Sequence, residues 1–344
     1  MKKTFLITLF ISILFSNLFA GKIEEAEKTP FLTRSFPLPS ITEIEANTCG
    51  GYIYLNGNAE TEAIVEVYVS CDSKMSEEKI RKIIDENYTI NIDVKNSKLQ
   101  VSATQKKNFN SGNISISFKI FVAKEVKSNL TTNGSSIKIE NLKGTHNITT
   151  SGGAITLDKV SGNVQGVTSG GSISVNHSSG TINILTSGGS INVNNSKDNI
   201  TLTTSGGSII ARNCSNNINL TTSGGNISAS NIEGTLKTST SGGSIILTDI
   251  AGNLEAKTSG GSIDANMKSV TDYVTLSSNG NISLTLPANV NCHLDAKGNK
   301  LEFNVSRFKG KELVPLKSIE GCIGEGGAKV YVRGQKVWLE VKNE

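Results

Sequence analysis

Few side chains in this chain have the types and spacing that chemistry needs. The cysteines are Cys49, Cys71, Cys214, Cys292 and Cys322, an odd number, so at least one thiol stays outside any disulfide. Turn-forming residues from Gly57 to Glu60 predict a hairpin that would set Cys49 and Cys71 opposite each other for a bridge. Cys292 and Cys322 are a second candidate pair. No CxxC or His-rich spacing occurs, and the histidines His146, His177 and His293 are scattered, which speaks against a metal centre. The acids Asp158, Asp198, Glu233, Asp249, Glu255 and Asp264 could act as general acids or bases only if folding gathered them within a few ångströms.

The elements that carry these residues are set by a repeat. Ser-Gly-Gly begins at Ser151, Ser169, Ser187, Ser205, Ser223, Ser241 and Ser259, each 18 residues after the last. Asn133-Gly134-Ser135 extends the series backward, and Ser278-Asn279-Gly280 extends it forward after a one-residue insertion between Met267 and Leu276. Apolar residues recur with it: Ile173, Val175, Ile182 and Ile184 return as Ile191, Val193, Ile200 and Leu202. Spacing by two is strand periodicity, so each unit carries two short strands with inward apolar faces. One such unit cannot offset the entropy of ordering itself, roughly 1 to 2 kcal/mol per residue. Stacked coils can, because like strands pair in register and isoleucine lies on isoleucine.

The fold expected is therefore all-β, a parallel β-helix or β-solenoid of 18-residue coils. At about 4.8 Å per coil the rod is roughly 40 Å long. Glycine at the corner would supply positive φ and close approach, and the preceding Thr (Thr150 to Thr258) would form a hydroxyl ladder along one edge. Cys214 falls where Val160, Ile232 and Ile250 fall, which marks it as a small buried hydrophobe.

Within this frame the acids fall at different phases and do not stack. No insertion walls a cleft. A polysaccharide-active β-helix enzyme is accordingly disfavoured, and no catalytic, cofactor-binding or metal-ligating residue is assigned. Calcium of the nonapeptide-repeat kind would need Asp in every corner, where it is missing. An ice-binding face would need a flat outward Thr-x-Thr array, but the neighbours Val167, Leu185, Thr203 and Thr221 vary.

Lys2 and Lys3 precede an uncharged apolar run from Phe5 to Phe19, the pattern of a secretory signal peptide with cleavage after Ala20. The run is short for an uncleaved anchor, and no later stretch is long and apolar enough to span a membrane as a helix. Net charge is +4 including those two lysines, which makes no case for nucleic acid as a partner.

Outside the repeats, alternating strands read from Ile41 to Val122 with one helix, Ser76 to Tyr88, capped by Ser76. After Pro287, Leu301 to Val305, Lys329 to Val332 and Val337 to Val341 read as closing strands. The organisation expected is a signal peptide at 1–20, an N-terminal β-rich cap at 21–128, solenoid repeats at 129–290 and C-terminal capping strands at 291–344. The recurring TSGGSI unit, the lead-in FKIFVAKEVKSNLTTNGSSIKIENLKG and the closing GEGGAKVYVRGQKVWLEV resemble the bacterial DUF4097 family of candidate adhesins, related to head-GIN-domain proteins. The resemblance extends from about Phe36 to Val341 and implies a right-handed coil. The N-terminal signal pattern, the unstacked acids and the regular Ser, Thr and Asn surface of a stiff rod, together with the adhesin label of that family, lead to the expectation of an exported, non-enzymatic surface or envelope protein with a surface glycan or a protein as partner. A structural or envelope-maintenance role without a specific ligand is the alternative.

Overall fold

The computed structural model describes residues 29–71, 75–106, 114–305, 307–312 and 317–342. The signal peptide and cleavage site expected from the sequence lie outside the described residues. Within them the chain is all-β apart from the helix Glu77–Asn87 and a short 3-10 turn, Leu38–Ser40. The Ser76 hydroxyl accepts from the Lys79 N–H at the helix start, as its position predicts.

The repeat becomes a solenoid-like stack. Ile155–Asp158 pairs in parallel with Ile173–Asn176, and Ser161–Thr168 with Ser179–Thr186, each residue facing its counterpart 18 positions on. The register persists through Ile245–Thr258. Each coil thus adds one strand to each of two columns. Alternation sends Ile155, Ile173, Ile191, Ile209, Ile227 and Ile245 inward as one ladder, all buried. Cys214 is buried in register with Ile232, as expected, and burial raises its thiol pKa.

The two corners obey different rules. At the looser one, a residue of each coil is left-handed: Asn141, Lys159, His177, Asn195, Asn213, Asn231 and Asp249 have φ between 48° and 57°. Asn and Asp tolerate that region best, which explains their recurrence there. The Ser-Gly-Gly glycines, by contrast, do not have the positive φ expected of them. The second of each pair is there for closeness: a Cβ on Gly189 would lie 2.0 Å from the Gly171 carbonyl oxygen in the coil below.

The Thr series does stack in register along that corner, as expected, but as a buried ladder and not an exposed one. Thr168, Thr186 and Thr204 are buried, because the alternation that turns Ile182 and Ile184 inward turns Thr186 inward too. The last coil departs from the one-residue insertion read from the sequence. Thr258 faces Ser278, 20 positions on, whereas Ile263 faces Ile282, 19 on. The strand Ile263–Ser278 therefore gains two residues by a bulge, and the corner after it loses one.

Both ends of the stack are interleaved. Glu43–Thr48 lies between Lys98–Gln105 and Lys127–Thr132, and Ile53–Asn56 between Ile114–Phe121 and Ile137–Glu140. At the other end Ala328–Arg333 is inserted between Ile263–Ser278 and Cys292–Lys297. Lys336–Val341 is inserted in the same way between Ile282–Leu286 and Lys300–Asn304.

This order removes both expected disulfides. Ile114–Phe121 separates Ile53–Asn56 from Glu62–Cys71, so no hairpin joins the last two. Cys71 faces Ile114 from one side of that strand, while Gly50, next to Cys49, accepts from Ser115 on the other. Two strand spacings, about 9 to 10 Å, exceed the reach of a disulfide. Cys292 faces Ile323, and Cys322 faces His293. A shift of one residue puts the two thiols on opposite faces of the sheet, and Cys49, Cys292 and Cys322 carry no disulfide.

Candidate functional site

One of the acids singled out above does stack on another carboxylate, one that was not singled out: Asp158 faces Glu140. Both are already engaged. Glu140 meets Lys138 Nζ at 2.6 Å and accepts from the Tyr54 hydroxyl, whose pKa is pushed up to about 12 by burial and by that carboxylate. Asp158 Oδ1 lies 3.0 Å from His177 Nδ1. Asp198, Glu233, Asp249, Glu255 and Asp264 do not face one another in any strand pair. Among the described residues no three His, Cys, Asp or Glu side chains gather as a metal ion requires.

A nucleophile and a base do meet at the C-terminal end. Cys322 Sγ is 3.1 Å from His293 Nδ1, across an antiparallel pair of strands. The imidazole is exposed, and the shallow depression beside it, about 290 Å³, is lined by Asp295, Glu320 and Tyr331. Sequence spacing could not reveal this contact, because it depends on the register of two strands joined by a long connection.

The column of strands that follows the looser corner presents a flat outer face. Thr145, Asn163, Thr181, Asn199 and Asn217 form one line along it, and Asn147, Gln165, Asn183, Thr201 and Asn219 a second. Thr149, Val167, Leu185, Thr203 and Thr221 form a third. None of these residues is charged, and the Asn217 amide donates to the Asn199 side chain at 2.9 Å. The face ends at the bulge, where the Asn253 side-chain oxygen accepts from the backbone N–H groups of Asp272 and Tyr273. Tyr273 there walls a depression of about 340 Å³ whose floor includes Asn199, Thr201, Asn219 and Lys237.

The other column carries a further depression, of about 410 Å³, at the interleaved C-terminal end. Trp338 lies in it between Ser283 and Glu302 on the neighbouring strands, with Asp264 beyond Ser283.

These features define an all-β solenoid-like repeat protein. Residues 171–335 match the Toastrack DUF4097 family, so the family resemblance read in the sequence holds over the later coils and the interleaved strands. Among solved structures, a candidate cell adhesion protein from Clostridium sporogenes is 11% identical with a TM-score of 0.19, over 90% of this chain and 98% of that one. A candidate adhesin from Bacteroides fragilis is 14% identical with a TM-score of 0.25, over 90% and 95%. A candidate lipid binding protein from Parabacteroides distasonis is 15% identical with a TM-score of 0.30, over 75% and 97%. No curated protein matches the chain. Among the described residues no helix is long and apolar enough to cross a membrane.

Proposed function

We propose that this chain is an exported, extracytoplasmic and non-enzymatic binding protein, a right-handed parallel β-helix that holds a glycan or protein partner against its uncharged face. The observation that supports this reading is the three-line array from Thr145 to Thr221, repeated in register at the strand spacing of about 4.8 Å. Each shallow contact on such a face is weak. A partner that extends along several coils makes many of them at once, and the stiff backbone has already paid the ordering entropy. The uncharged centre also avoids stripping water from unpaired charges on contact.

The test uses the chain from Gly21 to Glu344 on a glycan array, on whole cells and against envelope proteins. Saturable retention competed by one ligand, and weakened by Asn183→Lys and Asn219→Lys, is the expected result. Retention on no surface, together with a weakened envelope in cells that lack the protein, would favour the structural role instead. Turnover of a polysaccharide would overturn both.

A further inference from the structure

Trp338 is the sole tryptophan of the chain, and it is 54% exposed on the outside of a sheet. Large aromatic side chains stabilise folds by being buried, so one left open on a rigid strand contributes little to this fold. The strand is rigid for a reason already described: Lys336–Val341 is hydrogen-bonded on both sides, in register with Ile282–Leu286 and Lys300–Asn304. Polar groups surround the indole. Ser283 and Glu302 stand directly across from it on either side, and Asp264 stands one strand further. The Lys300 ammonium, 2.7 Å from a Glu302 carboxylate oxygen, holds that carboxylate at the rim, and Lys336 lines the same depression.

This combination selects among ligands. An acyl chain or apolar peptide would cover Asp264, Glu302 and Lys336 without giving them partners, at a cost that burying one side of an indole does not offset. A phosphate would meet two carboxylates. A sugar ring fits both requirements, since one face is a plane of C–H groups that can lie on the indole and the rim is hydroxyl groups that can bond to carboxylate, hydroxyl and ammonium. The volume of the depression, about 410 Å³, falls within the roughly 300 to 1,000 Å³ typical of small-ligand sites.

We infer that the depression around Trp338 is a glycan-binding site in which a pyranose ring stacks on the indole while Asp264, Ser283, Glu302 and Lys336 bind its hydroxyl groups. The inference rests on the binding reading given above and adds a second, local site on the other column of strands.

Because Trp338 is the sole tryptophan, its emission reports on the site directly. The chain from Gly21 to Glu344 is titrated with maltohexaose, cellohexaose, chitohexaose, mannohexaose and a polygalacturonate fragment. One of these should give a saturable emission shift and protect the indole from acrylamide. Trp338→Ala should weaken retention of that sugar about tenfold or more, with Trp338→Phe intermediate and the melting temperature unchanged. Asn219→Lys, on the flat face, should leave the emission response intact. Emission and quenching unmoved by every sugar overturn the site, as does sugar retention that survives Trp338→Ala. If retention survives Trp338→Ala but is lost in Asn219→Lys, the site fails and the flat-face reading stands. An intact emission response without any partner on the flat face gives the reverse result.

Discussion

The Thr186 hydroxyl donates to the Gly171 carbonyl in the coil below at 2.8 Å and accepts from the Gly189 N–H of its own corner at 3.2 Å. The same two bonds recur at Thr168, Thr204, Thr222, Thr240 and Thr258. The threonine is thus a buried clamp between coils, and its hydroxyl replaces solvent for two backbone groups that the turn leaves unpaired. Thr186→Val keeps the shape and removes both bonds, so urea unfolding should show a loss of about 1 to 3 kcal/mol. Ser187→Ala, one residue on and exposed, should change stability by no more than about 0.5 kcal/mol. Equal effects from the two would show that the clamp contributes nothing.

The two glycines after that threonine are not equivalent. A Cβ on Gly188 would have nothing nearer than 3.6 Å, but one on Gly189 would lie 2.0 Å from a backbone oxygen. Gly188→Ala should therefore fold with a melting temperature close to that of the parent. Gly189→Ala must push two coils apart and should cost about 3 kcal/mol or more, at the high end for single substitutions. Thermal melts of the two variants side by side decide the matter, and similar melting temperatures would refute the close-approach account.

Threonine to valine should have the opposite sign at Thr238. This residue lies in register between Leu220 and Ala256, points into the core, and its hydroxyl has no hydrogen-bond partner. A buried hydroxyl without a partner is destabilising, whereas a methyl of the same size is at home there. Thr238→Val should stabilise the chain by about 1 kcal/mol, read as a higher urea midpoint with an unchanged slope. A lower midpoint would mean that the hydroxyl has a partner after all.

How much of this was legible in the sequence depends on how local each feature is. The ladder from Ile155 to Ile245 and the burial of Cys214 follow from period two within strands and period 18 between coils, and both periods are printed in the chain. The inward direction of Thr186 could also have been read, by carrying the alternation of Ile182 and Ile184 one step further. The neighbours of Trp338 could not. Ser283 and Glu302 flank it only because the chain returns to lay its last strands inside the stack, and no local pattern encodes that order. The same holds for Cys322 beside His293 and for Ile114–Phe121 between the segments carrying Cys49 and Cys71. The protrusion of Tyr273 is an intermediate case: the insertion was visible, but its division into two added residues and one lost required the register.

His146 makes the stack sensitive to acid. It occupies the inward phase held by Val164 and Ile182 in the next coils, is fully buried, and bonds through Nδ1 to Ser128 Oγ at 2.9 Å, while Nε2 has no partner. Burial pushes its pKa down to about 4, so the folded state holds the imidazole neutral. In the unfolded chain the pKa is about 6.5. Above pH 6.5 neither state binds the proton and the group is neutral in its effect on stability. As the pH falls toward 4 the unfolded chain takes up a proton that the folded chain refuses, and stability drops progressively, by about 3 kcal/mol once both forms are charged. His146→Val restores the residue type of the next coil and removes that linkage. The variant and parent should therefore diverge below pH 6.5, with the variant's urea midpoint falling less between pH 6.5 and 4. Carboxylates titrate in the same window in both proteins, so the difference between the two curves isolates the histidine. Parallel curves would mean that His146 is solvated or paired in the native stack.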